Sequence, residues 1–279
     1  SKAPRHARPR TLDSLALAAL IAGGIAAFNV ACPAVVGDER ATDAGGNPAQ
    51  DARPIDVEPP AEGTIWALVH PSYPASQGPG IYVYNEISGA VETVLPLPQG
   101  ADSPHALEWD GHSLWLATHL DGAEHEDALI ELDPSDGSTR SVIPGVFTEG
   151  LVADGDTLWR GSAYQGGEGQ ALIQLTKSGE ELQQFPVQNI VNSLTTDGQY
   201  FYYIANDSRD PIYRVDRWGA ETEIAAGTVA SFSPYSLDYD GVHLVVIDGF
   251  DTTNQIRRVD KQTGETVELV PLPITGWIT

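Results

Sequence analysis

The sequence predicts an all-β domain of four-stranded units set around a closed ring, and three observations lead there. Asp-Gly pairs recur at Asp110-Gly111, Asp154-Gly155, Asp197-Gly198 and Asp240-Gly241, spaced by 44, 43 and 43 residues. Each pair lies between short apolar runs of strand length, with no helical spacing among them. The ends of the repeating region are complementary: residues 63–94 supply three strands with no innermost strand before them, and the C-terminal ITGWIT supplies an innermost strand with nothing after it. Units of about 43 residues with four strands each are blades of a β-propeller, and the complementary ends make the number of blades five.

The elements follow in a fixed order. HALEWD, EGLVAD, NSLTTD and YSLDYD lead into the Asp-Gly turns and form the innermost strands. Second strands come next, in Leu114-Trp115-Leu116, Leu158-Trp159, the run 200–204 and the run 244–247. After a variable loop, third strands follow in ALIELD (128–133), ALIQLT (171–176), PIYRVD (211–216) and QIRRVD (255–260), each ended by a turn containing Gly137, Gly179, Gly219 or Gly264. Asp-Gly is hairpin chemistry, because glycine takes positive φ without steric penalty. Placing Gly276-Trp277-Ile278-Thr279 ahead of Glu62-Gly63 recreates the repeat, so residues 274–279 are expected to pair with 64–69 and complete the first blade. A truncated ring of six or seven blades would leave those complementary ends a coincidence.

Composition narrows the function. With 28 glycines and 20 prolines the chain is rich in turns and poor material for a helical bundle. Its net charge is −24, and residues 1–31 carry +3 of that total, leaving −27 on the rest. Such a body repels phosphate backbones and anionic lipid, which excludes nucleic acid as a partner. The single cysteine, Cys32, excludes an internal disulfide framework and a cysteine-built metal site.

Residues 1–32 have the plan of an export signal: a basic stretch to Ser14, an uncharged apolar run from Leu15 to Val30, then Ala31-Cys32. The cysteine at the end of the apolar run resembles the bacterial lipoprotein signal, which implies lipidation of Cys32. An uncleaved anchor and a plain signal peptide are the other readings, and all three export the protein to a periplasmic or cell-surface position. Residues 33–62 hold five prolines, seven acids and no hydrophobic period, so they are expected to form a disordered tether. Residues 63–279 are the propeller.

Aligned repeats place one residue per blade where the innermost strand enters the channel: His105, Glu149, Asn192, Tyr235 and Thr275. Five polar or aromatic side chains converging on one axis are expected to bind a small molecule or peptide; ordered water would be the bland occupant. Glu149 is the ring's carboxyl, and partial burial would raise its pKa.

Phe147-Thr148-Glu149-Gly150-Leu151, with Leu158-Trp159 and Gly161-Ser162-Ala163-Tyr164 after it, resembles the plant and bacterial type of glutaminyl cyclase (glutamine cyclotransferase). That resemblance implies a five-bladed propeller in which Glu149 is the catalytic acid/base closing an N-terminal glutamine to pyroglutamate, with Asn192 at a substrate-contact position. Two classes of function therefore stand: an exported binding propeller, and an aminoacyltransferase.

Metal sites are weaker candidates. His105, His112, His119 and His125 cluster in one blade, but His112 falls in a turn and His119 and His125 are expected in the following loop, so convergence on a transition metal is not expected. Asp121, Glu124, Glu126 and Asp127 could hold Ca²⁺, without EF-hand spacing. No other cofactor is implied. Trp66, Trp115 and Trp159 share one repeat position and are expected to pack between blades, while Trp218 falls in an exposed turn.

Overall fold

The computed structural model describes residues 63–69, 78–120, 126–161, 170–206, 211–225, 236–248 and 254–274, and every regular element among them is a strand. Blade one holds β1 (Thr64–Val69), β2 (Gly80–Asn85) and β3 (Ala90–Leu95). Blade two holds β4 (Ala101–Trp109), β5 (Leu114–Leu120), β6 (Glu126–Leu132) and β7 (Thr139–Pro144). Blade three is β8 (Leu151–Asp154), β9 (Thr157–Gly161), β10 (Ala171–Thr176) and β11 (Glu181–Pro186). Blade four is β12 (Val191–Thr196), β13 (Phe201–Ala205), β14 (Ile212–Val215) and β15 (Glu221–Ala225). Blade five is β16 (Ser236–Tyr239), β17 (Leu244–Asp248), β18 (Asn254–Val259) and β19 (Thr266–Leu272). Strands pair antiparallel in chain order within every sheet, which is the meander of a propeller blade.

The middle strands are buried on both faces, and that is why they read as continuous apolar runs rather than alternating ones. β13 is buried along its whole length, whereas the outermost β7 and β11 are largely exposed and polar. Successive side chains point to opposite neighbours. Trp115 and Ala117 pack on Leu158 and Ile173 of blade three, while Leu114 and Leu116 pack on Leu68 and Ile81 of blade one. Phe201 and Tyr203 meet Trp159 and Leu172 of blade three, and Tyr202 and Ile204 meet Leu237 and Val246 of blade five. Each buried aliphatic side chain contributes about 1.5–3 kcal/mol before entropy is counted.

The fifth seam closes the ring. Ile247, Ile256 and Ile274 pack on Ala67, Val69 and Tyr82 of blade one. Five blades are thus joined through five apolar seams, and the architecture is a five-bladed β-propeller. Blade one shows three strands among the described residues; the strand expected to complete it involves 275–279, which lie outside them, as do 1–32 with Cys32 and the tether at 33–62.

The Asp-Gly turns do more than reverse the chain. Gly111, Gly155, Gly198 and Gly241 have φ of 93°, 60°, 81° and 94°, which glycine alone tolerates without strain. Asp110 Oδ1 accepts the His112 and Ser113 amides, and its Oδ2 accepts Trp115 Nε1 at 2.8 Å. The same Oδ2 takes Lys177 Nζ of blade three at 2.8 Å. The device recurs at the next two seams, as Asp154 to Arg217 at 2.5 Å and Asp197 to Lys261 at 2.7 Å. Blade one carries Glu86 where blades three, four and five carry a base, so Arg258 intervenes at the closing seam, 2.8 Å from Asp240 and 2.5 Å from Glu86.

Candidate functional site

Inner strands end at the Asp-Gly turns, and their opposite ends are where the repeat alignment expects a channel mouth. In β4, Pro104 pairs with Thr118 and Ala106 with Ala117, leaving His105 as the extra residue of a bulge. In β12, Val191 pairs with Ala205 and Ser193 with Ile204, which leaves Asn192 in the same situation. A bulge releases one residue from the ladder and re-aims its side chain. Two of the residues aligned at the mouth therefore share a backbone device as well as a repeat position.

Glu149 stands just before β8. Thr148, fully buried, donates its hydroxyl to the Gly150 carbonyl at 2.6 Å and holds the chain in shape there. Gly150 is needed for close approach: a Cβ on it would lie 2.8 Å from Val191 Cγ1, 3.0 Å from Leu194 Cβ and 3.1 Å from the Ser193 carbonyl carbon. That contact brings the backbone next to Glu149 of blade three against the Val191–Leu194 stretch of blade four, which contains Asn192. Glu149 is half-buried and has no ion pair or hydrogen bond among the described residues, and burial raises its pKa. Asn192 is 8% exposed, and its Oδ1 has no hydrogen-bond partner among the described residues. Buried carbonyl oxygens of this kind are uncommon, because an unmade hydrogen bond costs about 1–3 kcal/mol.

On the other side, His105 meets Phe147 at 5.1 Å between ring centroids and His119 edge-on at 4.8 Å. His119 stacks on Phe147 at 5.2 Å, with its Nδ1 2.5 Å from Asp127 Oδ1. His119 lies in β5, as the register partner of Asp127, and not in the following loop where the sequence reading put it. The strand LWLATHL continues its pairing past the apolar run, so polarity alone misjudged its end. The three rings pack together between blades two and three. Tyr235 and Thr275 lie outside the described residues, as do His125, Asp121 and Glu124.

Below the mouth the structure adds two acids that the alignment passed over. Glu108 and Asp238 occupy one repeat position, shared with Val152 and Thr195. Glu108 Oε1 accepts the Ala153 amide of the next blade at 3.0 Å. Burial pushes its carboxyl well above the usual glutamate range, the charge of Asp238 adds to that, and the Ala153 amide offsets part of it. Asp238 is solvent-accessible yet surrounded by protein; burial raises its pKa, and the Tyr239 amide and Thr195 hydroxyl counter the rise. A carboxylate inside an otherwise apolar strand was the available signal for both. No lysine or arginine lies on β4, β8, β12 or β16. Among the described residues no group of three or more His, Cys, Asp and Glu side chains is placed to hold a metal ion.

No protein-family model and no curated protein matches the chain. Solved structures do. A chain of a nidogen/laminin complex aligns at 13% identity over 69% of this chain and 72% of its own, with a TM-score of 0.48. A luciferin-regenerating enzyme aligns at 16% identity over 69% of each chain, with a TM-score of 0.44. A putative 6-phosphogluconolactonase from Bacteroides fragilis aligns at 15% identity over 76% of this chain and 69% of its own, with a TM-score of 0.41.

Proposed function

We propose that this protein is an exported, membrane-tethered propeller that binds a small molecule or peptide at the mouth of its central channel. One observation supports the reading: Gly150 brings the backbone beside Glu149 against the Val191–Leu194 stretch of the next blade, and Glu149 has no ion pair or hydrogen bond and Asn192 Oδ1 no hydrogen-bond partner among the described residues. Proteins place buried polar groups in pairs, so an unsatisfied pair at a channel entrance is a place waiting for a ligand. His105 joins Glu149 and Asn192 as a ligand contact through its ring cluster, and Tyr235 and Thr275 take the corresponding places on the remaining blades. Residues 1–32 direct export, Cys32 carries the lipid, and 33–62 hold the propeller off the membrane at a periplasmic or cell-surface station. Incubating the parent and the Asn192→Ala variant with a mixture of peptides and metabolites, then identifying what co-elutes, tests the site. A compound retained by the parent and lost by the variant is the expected result; retention by neither rejects it. Cys32→Ala is expected to move the protein from the detergent phase to the aqueous phase.

A second reading is favoured by Glu149 alone. A half-buried carboxyl whose pKa burial raises, with no ion pair among the described residues, suits proton transfer, which is the role implied by the resemblance to glutaminyl cyclases. Ammonia release from a Gln-initiated peptide, abolished in Glu149→Gln, would establish it in place of pure binding.

A further inference from the structure

We propose that Ser103, His119 and Asp127 form an acyl-transfer triad that hydrolyses short, uncharged carboxylic esters. The three stand in one row across blade two. Ser103 of β4 is the register partner of His119 in β5, and His119 is the register partner of Asp127 in β6. Residues directly opposite on neighbouring antiparallel strands project from the same face, with Cβ atoms about 4.5–5.5 Å apart. The row therefore orders a nucleophile, a base and an orienting acid. The bulge at His105 makes this possible. Ala106 pairs with Ala117 on the face that packs against blade three, and simple alternation would put Pro104 on that face too. The extra residue shifts the parity and puts Ser103 there instead.

His119 is set for its part. Its Nδ1 lies 2.5 Å from Asp127 Oδ1, and both atoms are closed to solvent with no other partner among the described residues. Two lone pairs would repel at that distance, so the proton belongs on Nδ1 and Nε2 is left as the acceptor that a general base needs. Phe147, stacked at 5.2 Å, and the His105 edge, at 4.8 Å, pin the ring, yet the His119 side chain is 31% exposed and open to a substrate. Ser103 is half-buried, and its hydroxyl makes no hydrogen bond with a described residue that would hold it away from His119. The bond between nucleophile and base is often long before substrate arrives.

The chemistry balances with water as co-reactant. His119 Nε2 takes the Ser103 hydroxyl proton as Oγ attacks the ester carbonyl carbon. The carbon–oxygen bond to the leaving group then breaks, and the alcohol departs with the proton from Nε2, leaving an acyl ester on Ser103. Water next gives its proton to Nε2 and its hydroxyl to the acyl carbon, and the carboxylic acid leaves as Ser103 Oγ recovers the proton. Phe147 and His105 supply an apolar wall for a short acyl chain. A net charge of −24 disfavours esters that carry carboxylate or phosphate.

Hydrolysis of p-nitrophenyl acetate by the full chain, with mass-spectrometric mapping of the serine labelled by a fluorophosphonate, tests the inference. The proteins are the parent, Ser103→Ala, His119→Gln and Asp127→Asn, with thermal unfolding of each to confirm the fold. The expected result is turnover and a label on Ser103 in the parent, both lost in Ser103→Ala, and turnover lowered about a hundredfold or more in His119→Gln. Asp127 is a positioning residue, so Asp127→Asn should lower kcat about a hundredfold while KM stays within about threefold of the parent. A label on another serine, turnover left intact by any of the three substitutions, or a parent with neither turnover nor label overturns the triad. None of these outcomes bears on the ligand retention tested with Asn192→Ala, so the two proposals fail separately.

Discussion

The two ends of the inner strands belong to the same repeat yet finish in opposite electrostatic states. At the turn end, Asp110, Asp154, Asp197 and Asp240 each meet a base, three times directly across a seam and once through Arg258. At the other end, Glu149 has no ion pair or hydrogen bond and Asn192 Oδ1 no hydrogen-bond partner among the described residues. The turn end repeats the same residue in four blades, whereas the mouth changes residue at every blade. Periodic charge in this ring holds blades together, and the aperiodic polar residues are the ones proposed to meet a ligand. That division can be tested by removing charges from each end and comparing the outcomes.

The largest effect is expected at the turn end. Asp110→Ala removes two turn hydrogen bonds, the partner of the buried Trp115 indole and the anchor of Lys177. The Asp110 carboxylate is 2% exposed and that of Asp197 is 3%, while their lysine partners are 34% and 27% exposed, so each pair has one buried end. Breaking one is expected to cost about 3 kcal/mol, seen as a lower denaturant midpoint. Asp197→Ala should match it within about 1 kcal/mol because it repeats the geometry. A loss below about 1 kcal/mol in both would reduce the clasps to surface ion pairs.

Next in size is Gly150→Ala, which forces a methyl group against the Ser193 backbone and Val191. Overpacking of this kind costs about 1–3 kcal/mol. Because the same contact brings the backbone next to Glu149 against the stretch that contains Asn192, ligand binding should fall with stability. An alanine variant as stable as the parent would show that blades three and four do not depend on this approach.

The pH profile separates the two ends by sign. Asp110, Asp197 and Asp240 feel burial that would raise their pKa, but hydrogen bonds from Lys177, Lys261, Arg258 and turn amides bring each below the ordinary aspartate value. Their stabilisation is present above the unfolded value near 3.8 and is lost as pH falls through the lower folded values. Glu108 and Asp238 behave oppositely. Their folded pKa values are raised, so the protonated fold is favoured and stability falls as pH climbs from the unfolded value toward the folded one. Glu108→Gln should therefore stabilise the protein by about 1 kcal/mol at pH 7 and change little at pH 3.5. Equal effects at both values would remove the charge from the explanation.

What was legible in the sequence follows the same line. The Asp-Gly spacing and the strand runs state the blades, because each is local and repeats. The shared bulge position of His105 and Asn192 was visible for the same reason. The clasps were not: Lys177, Arg217 and Lys261 reveal their role only when the next blade is laid beside the Asp-Gly turn. Glu108 and Asp238 lie 130 positions apart in the chain, so only the closed ring makes them neighbours. His119 looked like loop because the register that extends β5 depends on Asp127 across the sheet. The need for Gly150 likewise comes from Val191 and Ser193 on another blade, not from its own backbone angle.

The smallest effect on stability is expected at the mouth, where the functional effect should be largest. Glu149→Gln removes a desolvated charge that no described residue compensates, so nothing that holds the fold is lost. Glutamine keeps the shape and relieves part of the desolvation cost, and the melting temperature should stay within about 1–2 °C of the parent or rise slightly. Asn192→Ala deletes a carboxamide whose carbonyl has no partner to strand, so its penalty should also stay below about 1 kcal/mol despite its burial. The two variants together should be close to additive in stability, because no described bond joins the two side chains, and cooperative in ligand binding if one ligand bridges them. A melting temperature that drops by about 8 °C or more in either single variant would mean that the mouth is structural like the turn end, and the contrast between the two ends of the inner strands would fail.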